Sequence, residues 1–399
     1  MAKRARARTG KAARRAGARQ EPGAAQDVPQ LVGLEELPAF ADLSCSERQR
    51  EAFRQVAAEL AAAEGVDESE YELGCVVRLD RGYPAILTAQ RVLRAEHAQT
   101  MAKEALERPA VGDWVCVRVA ADHDTGRVER VLPRESDIAR WRGSARGERQ
   151  TLAANVDLVL VAYALGGRFL DLSRIARSRV IALDCGAEAA LVLTKADRSA
   201  RLAADLAAIR AVLGPQVAVV LSAAGMAGDD EAHAQLRAQA AALDVPWGTE
   251  AVRALVPAGS CAMVLGESGA GKSTLLNALL GHELLQTGDV RAKDDAGRHT
   301  TVTRRMVAIP GGGTIVDEPG LRTLPLVGHE RGLALAFPEV ADAARGCRFR
   351  DCTHEHEPGC GVAAALEAGE IAQERADVYR ALAAEMRRNV RELDPDIVL

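Results

Sequence analysis

A short glycine-rich segment between two apolar stretches limits what this 399-residue chain can fold into. It reads Gly266-Glu-Ser-Gly-Ala-Gly-Lys-Ser273 and matches the phosphate-binding pattern G-x-x-x-x-G-K-[ST] at every fixed position. A strand-like run, CAMVL, precedes it, and a helix-like run, STLLNALLG, follows it. Glycines allow backbone N–H groups to surround a phosphate, and the N-terminus of the following helix adds a positive dipole. The sequence therefore predicts a P-loop nucleoside triphosphatase.

Two side chains of this segment have specific expected roles. We expect the Lys272 ammonium to contact the β- and γ-phosphate oxygens and the Ser273 hydroxyl to bind the Mg²⁺ that accompanies the nucleotide. The residues predicted to bind the phosphates are Gly266, Glu267, Ser268, Gly269, Ala270, Gly271, Lys272, Ser273 and Thr274.

Two predicted strand ends upstream of the P-loop carry groups that would select guanine. An aspartate carboxylate after the apolar run ALVL can accept hydrogen bonds from both N1–H and the exocyclic amine of guanine, whereas adenine lacks this pair of donors. A backbone N–H at the next strand end would meet the guanine oxygen. The pattern [NT]-K-x-D alone also fits an ordinary strand-end turn, but the two strand ends together predict GTP as the nucleotide. The predicted guanine-binding residues are Thr194, Lys195, Ala196, Asp197, Ser222 and Ala223.

The order of these segments along the chain is unusual, because in ordinary GTPases the guanine-binding segments follow the P-loop. Here they precede it, and Asp317-Glu-Pro-Gly320 comes after it. We expect Asp317 to hold the Mg²⁺ shell and the Gly320 N–H to meet the γ-phosphate, with Thr300 or Thr301 as the Mg²⁺-sensing residue of a switch segment. Apolar strand runs alternate with helical runs, which predicts a parallel sheet with helices on both faces. The sheet closes only if the GTPase fold is circularly permuted.

The residue after Gly320 bears on catalysis. Ras-like enzymes place there the glutamine that orients the attacking water, and this chain has Leu321. Intrinsic hydrolysis is therefore expected to be slow, with the missing group supplied by a partner or another switch residue. His299 is the internal candidate for a catalytic residue, since an imidazole can position or deprotonate water. Its alternative role is to anchor the switch segment to RNA or protein.

Three cysteines and two histidines lie close together near the C-terminus. Cys347, Cys352, His354 and Cys360 can close a tetrahedron around one Zn²⁺, and His356 is a rival ligand by spacing. Such a closed site is structural because it leaves no position for water. The surrounding segment, CRFRDCTHEHEPGC, has too little apolar content to fold alone, and thiols clustered with histidines suit a reducing cytoplasm.

The sequence outside the P-loop region predicts a multidomain α/β protein. Residues 1–20 carry eight Lys or Arg and no acid, although the net charge of the chain is −5, so we expect a basic disordered tail that contacts polyanions or is merely solvated.

Five short strand runs predict a barrel of the OB type, with an SH3-like barrel as the alternative. No apolar run reaches the length of a membrane span, and we expect neither a membrane nor a DNA partner. The predicted segments are a tail (1–30), a helical extension (31–69), an OB-like β-barrel (70–135), a linker (136–150), a circularly permuted P-loop GTPase domain (151–328) and a C-terminal zinc-binding helical domain (329–399).

These motifs together resemble the RsgA family (also called YjeQ) of ribosome small subunit-dependent GTPases. The resemblance covers residues 70–362 in unbroken order and rests on PAVGDWV, QTLAANVD, TKAD, GESGAGKST, GRHTT, DEPG and the Cys/His cluster. It implies a cytoplasmic, monomeric, circularly permuted GTPase that binds the 30S ribosomal subunit and its 16S rRNA and acts late in subunit assembly. Subunit-stimulated hydrolysis of GTP to GDP would then time its own release. The resemblance favours His354 over His356 as the fourth zinc ligand. Glu318 and Val302 depart from the family, which usually has threonine at both positions.

Overall fold

The computed structural model describes residues 36–80, 83–98, 108–119, 125–142, 148–225, 230–283, 304–317 and 324–392. The predicted basic tail lies outside these residues. Within the predicted helical extension, the first long helix is α1 (Glu47–Glu64), and a short 3-10 turn (Phe40–Asp42) precedes it. Ser46 starts α1 with a capping box, because its hydroxyl accepts the Gln49 N–H and the Gln49 side chain accepts the Ser46 N–H.

A closed five-stranded barrel follows α1. Its strands hydrogen-bond in the order β1-β2-β3-β5-β4, and β4 pairs with β1 to close the barrel. The pairing of β3 with β5 is parallel, and the other pairings within the barrel are antiparallel. Inward-facing aliphatic side chains such as Val76, Ile86 and Val117 form its core. The predicted OB-like barrel is confirmed, with strands β1 (Tyr71–Asp80), β2 (Tyr83–Thr88), β3 (Val92–His97), β4 (Trp114–Val119) and β5 (Thr125–Val131).

The segment after the barrel differs from the prediction. Instead of a linker over 136–150, β6 (Asp137–Arg142) and β7 (Glu148–Ala154) pair as an antiparallel hairpin. Ile138 and Leu152 are fully buried, so each strand contributes an apolar side chain to the main core. The linker was predicted because this segment is rich in arginine and contains glycine. That composition hid the strand signal of the two aliphatic residues.

The next region is a mostly parallel sheet with the strand order β10-β9-β8-β11-β13-β12. Only β12 runs antiparallel to its neighbour β13. Alternate residues of β8 pack on opposite faces, since Val159 belongs to one core cluster and Leu160 to the other. The prediction of a circularly permuted GTPase sheet covered on both faces is confirmed. Its strands are β8 (Leu158–Ala164), β9 (Glu188–Thr194), β10 (Val219–Leu221), β11 (Cys261–Leu265), β12 (Arg304–Ala308) and β13 (Thr314–Asp317).

Helices connect these strands and cover both faces of the sheet. Ile175 of α2 packs in the cluster that contains Val159, and Leu275 of α6 packs in the cluster that contains Leu160. The helices are α2 (Leu172–Asp184), α3 (Leu202–Leu213), α4 (Asp230–Ala242), α5 (Gly248–Ala254) and α6 (Lys272–Leu280).

The barrel and the GTPase sheet share backbone hydrogen bonds. Strand β1 pairs with β4 through Tyr71–Cys75, and farther along it pairs antiparallel with β12, where Arg78 faces Arg305 and Leu79 faces Arg304. The Ala308 N–H at the end of β12 donates to the Glu36 carbonyl at 3.1 Å. The two sheets are therefore one continuous hydrogen-bonded structure.

In the described part of the chain four helices follow the GTPase sheet; the first packs against α2, and the last packs against both α2 and α3. The His329 Nδ1 atom lies 2.9 Å from a carboxylate oxygen of Asp184 at the end of α2. The Arg375 guanidinium donates to the Val212 carbonyl in α3 and lies 4.9 Å from the centre of the buried Phe337 ring. These helices are α7 (Glu330–Ala336), α8 (Pro338–Ala344), α9 (Gly361–Glu367) and α10 (Gln373–Glu392). In the parts of the chain that the structure describes, no helix combines the length and apolarity needed to cross a bilayer.

Candidate functional site

The predicted phosphate-binding loop connects β11 to α6. Strand β11 is buried along its whole length, and the loop leaves it at Gly266, which has a φ of +156°. A Cβ atom at Gly266 would lie 2.5 Å from the Ala162 carbonyl oxygen, so this position excludes side chains. Gly271 has a φ of +83° and is the N-cap of α6. The glycines thus let the loop pass close to β8 and turn into the helix.

The side chain of Lys272 folds over this loop. Its Nζ donates to the Gly266 carbonyl at 2.5 Å and to the Glu267 carbonyl at 2.7 Å. The loop therefore has an ammonium group held above it in addition to the N-terminus of α6. Positive charge from both sources suits a bound phosphate.

The predicted guanine-binding turn contacts the phosphate-binding loop directly. Thr194, at the end of β9, is buried, and its Oγ1 donates to the Ala270 carbonyl at 2.6 Å. The Nζ of Lys195, a residue in the left-handed conformation with a φ of +53°, donates to the Gly269 carbonyl at 2.6 Å. Two side chains of the T-K-A-D segment thus fix its position against the P-loop.

The other predicted guanine-binding residues lie at the same edge of the sheet. The Ser222 N–H donates to the Leu193 carbonyl at 2.8 Å, and the Ala196 N–H donates to the Ser222 carbonyl at 3.2 Å. Asp197 lies in a single 3-10 turn (Ala196–Arg198), and its partly exposed carboxylate is 3.8 Å from the Arg198 Nε. Nucleotides bind open parallel sheets at this carboxyl edge. The arrangement can therefore hold a guanine base and its phosphates in one site.

Of the predicted Mg²⁺-associated groups, the structure describes two. Ser273 is in the first turn of α6, and the largely buried Asp317 ends β13, the strand next to β11. These positions suit Mg²⁺ coordination beside the phosphates. The remaining predicted groups lie outside the described residues: His299, Thr300, Thr301, Gly320 and Leu321, with the family departures Val302 and Glu318.

One contact of the P-loop had no signal in the sequence. The Arg174 guanidinium, in the first turn of α2, donates to the Glu267 carboxylate at 2.8 Å. Asp171 caps this helix by accepting the Arg174 N–H at 3.0 Å. A cavity of about 250 Å³ lies between the first turns of α2 and the P-loop, and its wall includes Phe169 and Leu324. The sequence pattern could not show this pair, since the two residues are 93 positions apart.

The cysteine and histidine side chains predicted to bind zinc come together in the loop between α8 and α9. The His354 Nδ1 lies 3.5 Å from the Sγ of both Cys347 and Cys360, and these two sulfurs are 3.9 Å apart. With Cys352, the four ligand atoms lie within 4.8 Å of one another. A tetrahedral zinc site with Zn–S bonds of about 2.3 Å has S–S separations of about 3.8 Å. The group therefore fits one metal ion, and His356 is not part of it.

The environment of this cluster also suits metal binding. Burial lowers the pKa of His354, which favours the neutral imidazole that a metal requires. The His354 ring lies 6.0 Å from the ring of Tyr379 in α10, and the Cys360 Sγ accepts the Ala363 N–H at the start of α9. A metal held here would tie the loop to the start of α9 through Cys360, with the His354 ligand beside α10.

Comparisons with known proteins extend these observations. A family model described as RsgA GTPase matches residues 216–327. The small ribosomal subunit biogenesis GTPase RsgA of Streptomyces coelicolor is 41% identical over 321 residues, which cover 80% of this chain and 82% of that protein. The protein of the same name from Opitutus terrae is 37% identical over 335 residues, covering 82% of this chain and 84% of the relative. The crystal structure of YjeQ from Thermotoga maritima matches 79% of this chain and 99% of its own, with a TM-score of 0.56 and 23% identity, so its fold is similar.

Proposed function

The chain belongs to the RsgA family of GTPases, and on this premise we propose that it acts in the biogenesis of the small ribosomal subunit. The observation that carries the proposal is the contact of Thr194 and Lys195 with the P-loop carbonyls of Ala270 and Gly269, because it joins guanine recognition to phosphate binding. Relatives that share about two-fifths of their residues with this chain are named for small-subunit biogenesis.

In the proposed GTP complex, backbone N–H groups of residues 266–274 surround the phosphates, and the Lys272 ammonium moves from the loop carbonyls to the β- and γ-phosphate oxygens. Asp197 accepts hydrogen bonds from the guanine edge, and the aliphatic part of Lys195 packs along the base. The Ser222-Ala223 backbone reads the guanine oxygen, and the Gly320 N–H meets the γ-phosphate.

Ser273 and Asp317 would hold Mg²⁺ together with Thr300 or Thr301. When bound, this ion neutralises charge on the β- and γ-phosphate oxygens. The nucleotide enters at the edge where β11 and β13 end side by side. The Ser273 hydroxyl then approaches it from the first turn of α6, which follows β11, and the Asp317 carboxylate from the end of β13.

Catalysis is proposed to depend on a partner. The chain has Leu321 in place of the glutamine that orients the attacking water, and a leucine side chain cannot do this. The chain therefore hydrolyses GTP slowly by itself. His299 remains the internal candidate for positioning the attacking water. Binding of the 30S subunit would bring the switch residues into register, and hydrolysis would then time release of the protein from the subunit.

The remaining elements of the proposal concern location and stability. We propose a cytoplasmic monomer that contacts 16S rRNA and that carries one structural Zn²⁺ on Cys347, Cys352, His354 and Cys360. The fit of these side chains to a tetrahedron supports the zinc assignment. The basic residues 1–20 would add contacts to rRNA phosphates.

Phosphate release from GTP and from ATP, each with and without purified 30S subunits, tests the proposed function. We expect strong stimulation by 30S subunits with GTP only. Equal turnover of ATP without any effect of the subunits would contradict both the guanine assignment and the ribosomal role.

Asp197→Asn is expected to lower GTP affinity on the order of 100-fold, because two charge-assisted hydrogen bonds to guanine are lost and an amide N–H₂ then faces the guanine amine. The same amide can donate to the 2-oxygen of xanthine, so affinity for XTP should rise. Competition of GTP and XTP against a fluorescent GDP analogue measures both effects. Asp205→Asn, which changes a carboxylate paired with Arg201 nearby, is the matched control and should keep the preference for GTP. Unaltered GTP binding by the Asp197 variant would exclude this carboxylate from base recognition.

A further inference from the structure

The loop between β8 and α2 presents an aromatic side chain to solvent. Phe169 is 75% exposed, more than any other large apolar side chain among the described residues. The chain has only five phenylalanines, and aromatic residues make up 3% of it. A single exposed apolar side chain is common on protein surfaces, so what Phe169 can bind depends on the groups that surround it.

The base of this loop is fixed on both sides. The Leu165 N–H donates to the Thr194 carbonyl at 2.9 Å, and the Asp171 N–H donates to the Tyr163 hydroxyl at 3.0 Å. Gly166, with a φ of +85°, packs so closely on Arg198 that a Cβ atom would lie 2.4 Å from the Arg198 Cβ. The loop therefore holds its tip in a defined place.

Three arginines lie near the exposed ring, one beside it and two along the adjoining hollow. The Arg168 guanidinium lies 5.3 Å from the centre of the Phe169 ring. Arg198 and Arg201 line the adjoining hollow together with Phe169, and their side chains are each 65% exposed. Their ion pairs with Asp197 and Asp205 are solvent-exposed on the arginine side, and such pairs contribute little free energy. These guanidiniums can therefore exchange their carboxylates for phosphates. An aromatic face with neighbouring guanidiniums is the combination that binds unpaired nucleic-acid bases.

The position of the loop connects it to the nucleotide site. Phe169 lines the same cavity as Arg174 and residues 266–270 of the P-loop. At its other end the loop contacts the guanine-binding turn through Thr194 and Arg198. A ligand stacked on Phe169 would thus touch a structure that borders both halves of the GTP site.

We propose that Arg168 and Phe169 form a stacking site for an unpaired RNA base, and that RNA of the small subunit reaches the GTP site of this chain through it. The role at the subunit rests on the proposed function. Single-stranded RNA is recognised in this way because every base has a face that can stack, whereas bases in a duplex are covered.

Two variants of Phe169 test the proposal. Phe169→Ala should raise the 30S concentration needed for half-maximal GTPase stimulation about tenfold, the expected effect of losing one stacked base. Phe169→Trp keeps an aromatic face, so its half-maximal concentration should stay near that of the wild type. Its added fluorescence should be quenched by a ten-nucleotide single-stranded RNA and not by a duplex of equal length. Leu335→Ala removes an exposed apolar side chain from α7 and is the matched control, expected to behave as the wild type.

Three outcomes would overturn the proposal. If Phe169→Ala matches the wild type in a 30S titration that stimulates both, the stacking site is wrong and the proposed function stands. If the alanine variant is impaired but single-stranded RNA does not quench the tryptophan variant, the contact is with a ribosomal protein. If 30S subunits do not stimulate the wild type, the proposed function fails, and absence of quenching by single-stranded RNA would then reject the stacking site independently.

Discussion

Lys272→Ala is expected to lower GTP turnover by about 100- to 1000-fold, with and without 30S subunits. The ammonium group neutralises charge on the transferred phosphate, and preorganised charges of this kind contribute roughly 3–4 kcal/mol to the transition state. Its Nζ donates to two loop carbonyls and the side chain is only half-buried, so its removal should leave the core intact. Phosphate release at saturating GTP measures the loss, and thermal unfolding checks the fold.

The matched control is Arg210→Ala, which removes a cation that contacts the carbonyls of Leu243 and Asp244 beside α3. This variant should turn over GTP like the wild type. If Lys272→Ala retained more than about a tenth of the wild-type rate, the proposed role of the ammonium in phosphate charge stabilisation would be wrong.

Removal of one ligand of the metal cluster is the second change with a large expected effect. His354→Ala should abolish bound zinc and lower the melting temperature on the order of 10 °C, since structural zinc contributes many kcal/mol to small modules. The loop between α8 and α9 has few other buried side chains, so the ion would be the main link within this loop and from it to Cys360 at the start of α9. Elemental analysis of the purified protein gives the zinc content, and calorimetry gives the unfolding transition.

Two controls make this test specific. His356→Ala removes the rival histidine, and Cys185→Ala removes a thiol at the end of α2, so both should keep one zinc per chain. Zinc loss in the His356 variant, with zinc retained in the His354 variant, would contradict the ligand set. Absence of zinc from the wild-type protein would reject the structural metal itself.

Local patterns predicted much of the fold. The strands of the barrel and of the parallel sheet follow from short apolar runs separated by turn residues, and the helices of the GTPase sheet follow from the helical runs that alternate with those strands. The start of α1 was missed because the apolar pattern begins earlier, although Ser46 and Gln49 form a capping box. The β6–β7 hairpin was missed because its charged residues hid Ile138 and Leu152.

The candidate site was predictable where one short segment carries its own chemistry. The P-loop, the T-K-A-D turn and the Cys/His cluster are such segments. Contacts between segments were not predictable, because no local pattern relates residues far apart in the chain. The Arg174–Glu267 pair and the Thr194 contact with Ala270 join residues 93 and 76 positions apart, and they came only from the structure.

The pairing of β12 with β1 has a consequence for the behaviour of shortened chains. A fragment that began after the barrel would lose both β1 and Glu36, which together satisfy backbone groups along β12. Strand β12 would then be an exposed edge strand with unpaired N–H and C=O groups. Strands of other chains could pair with it, and the fragment would aggregate. The barrel thus protects the GTPase sheet against self-association, whatever it binds.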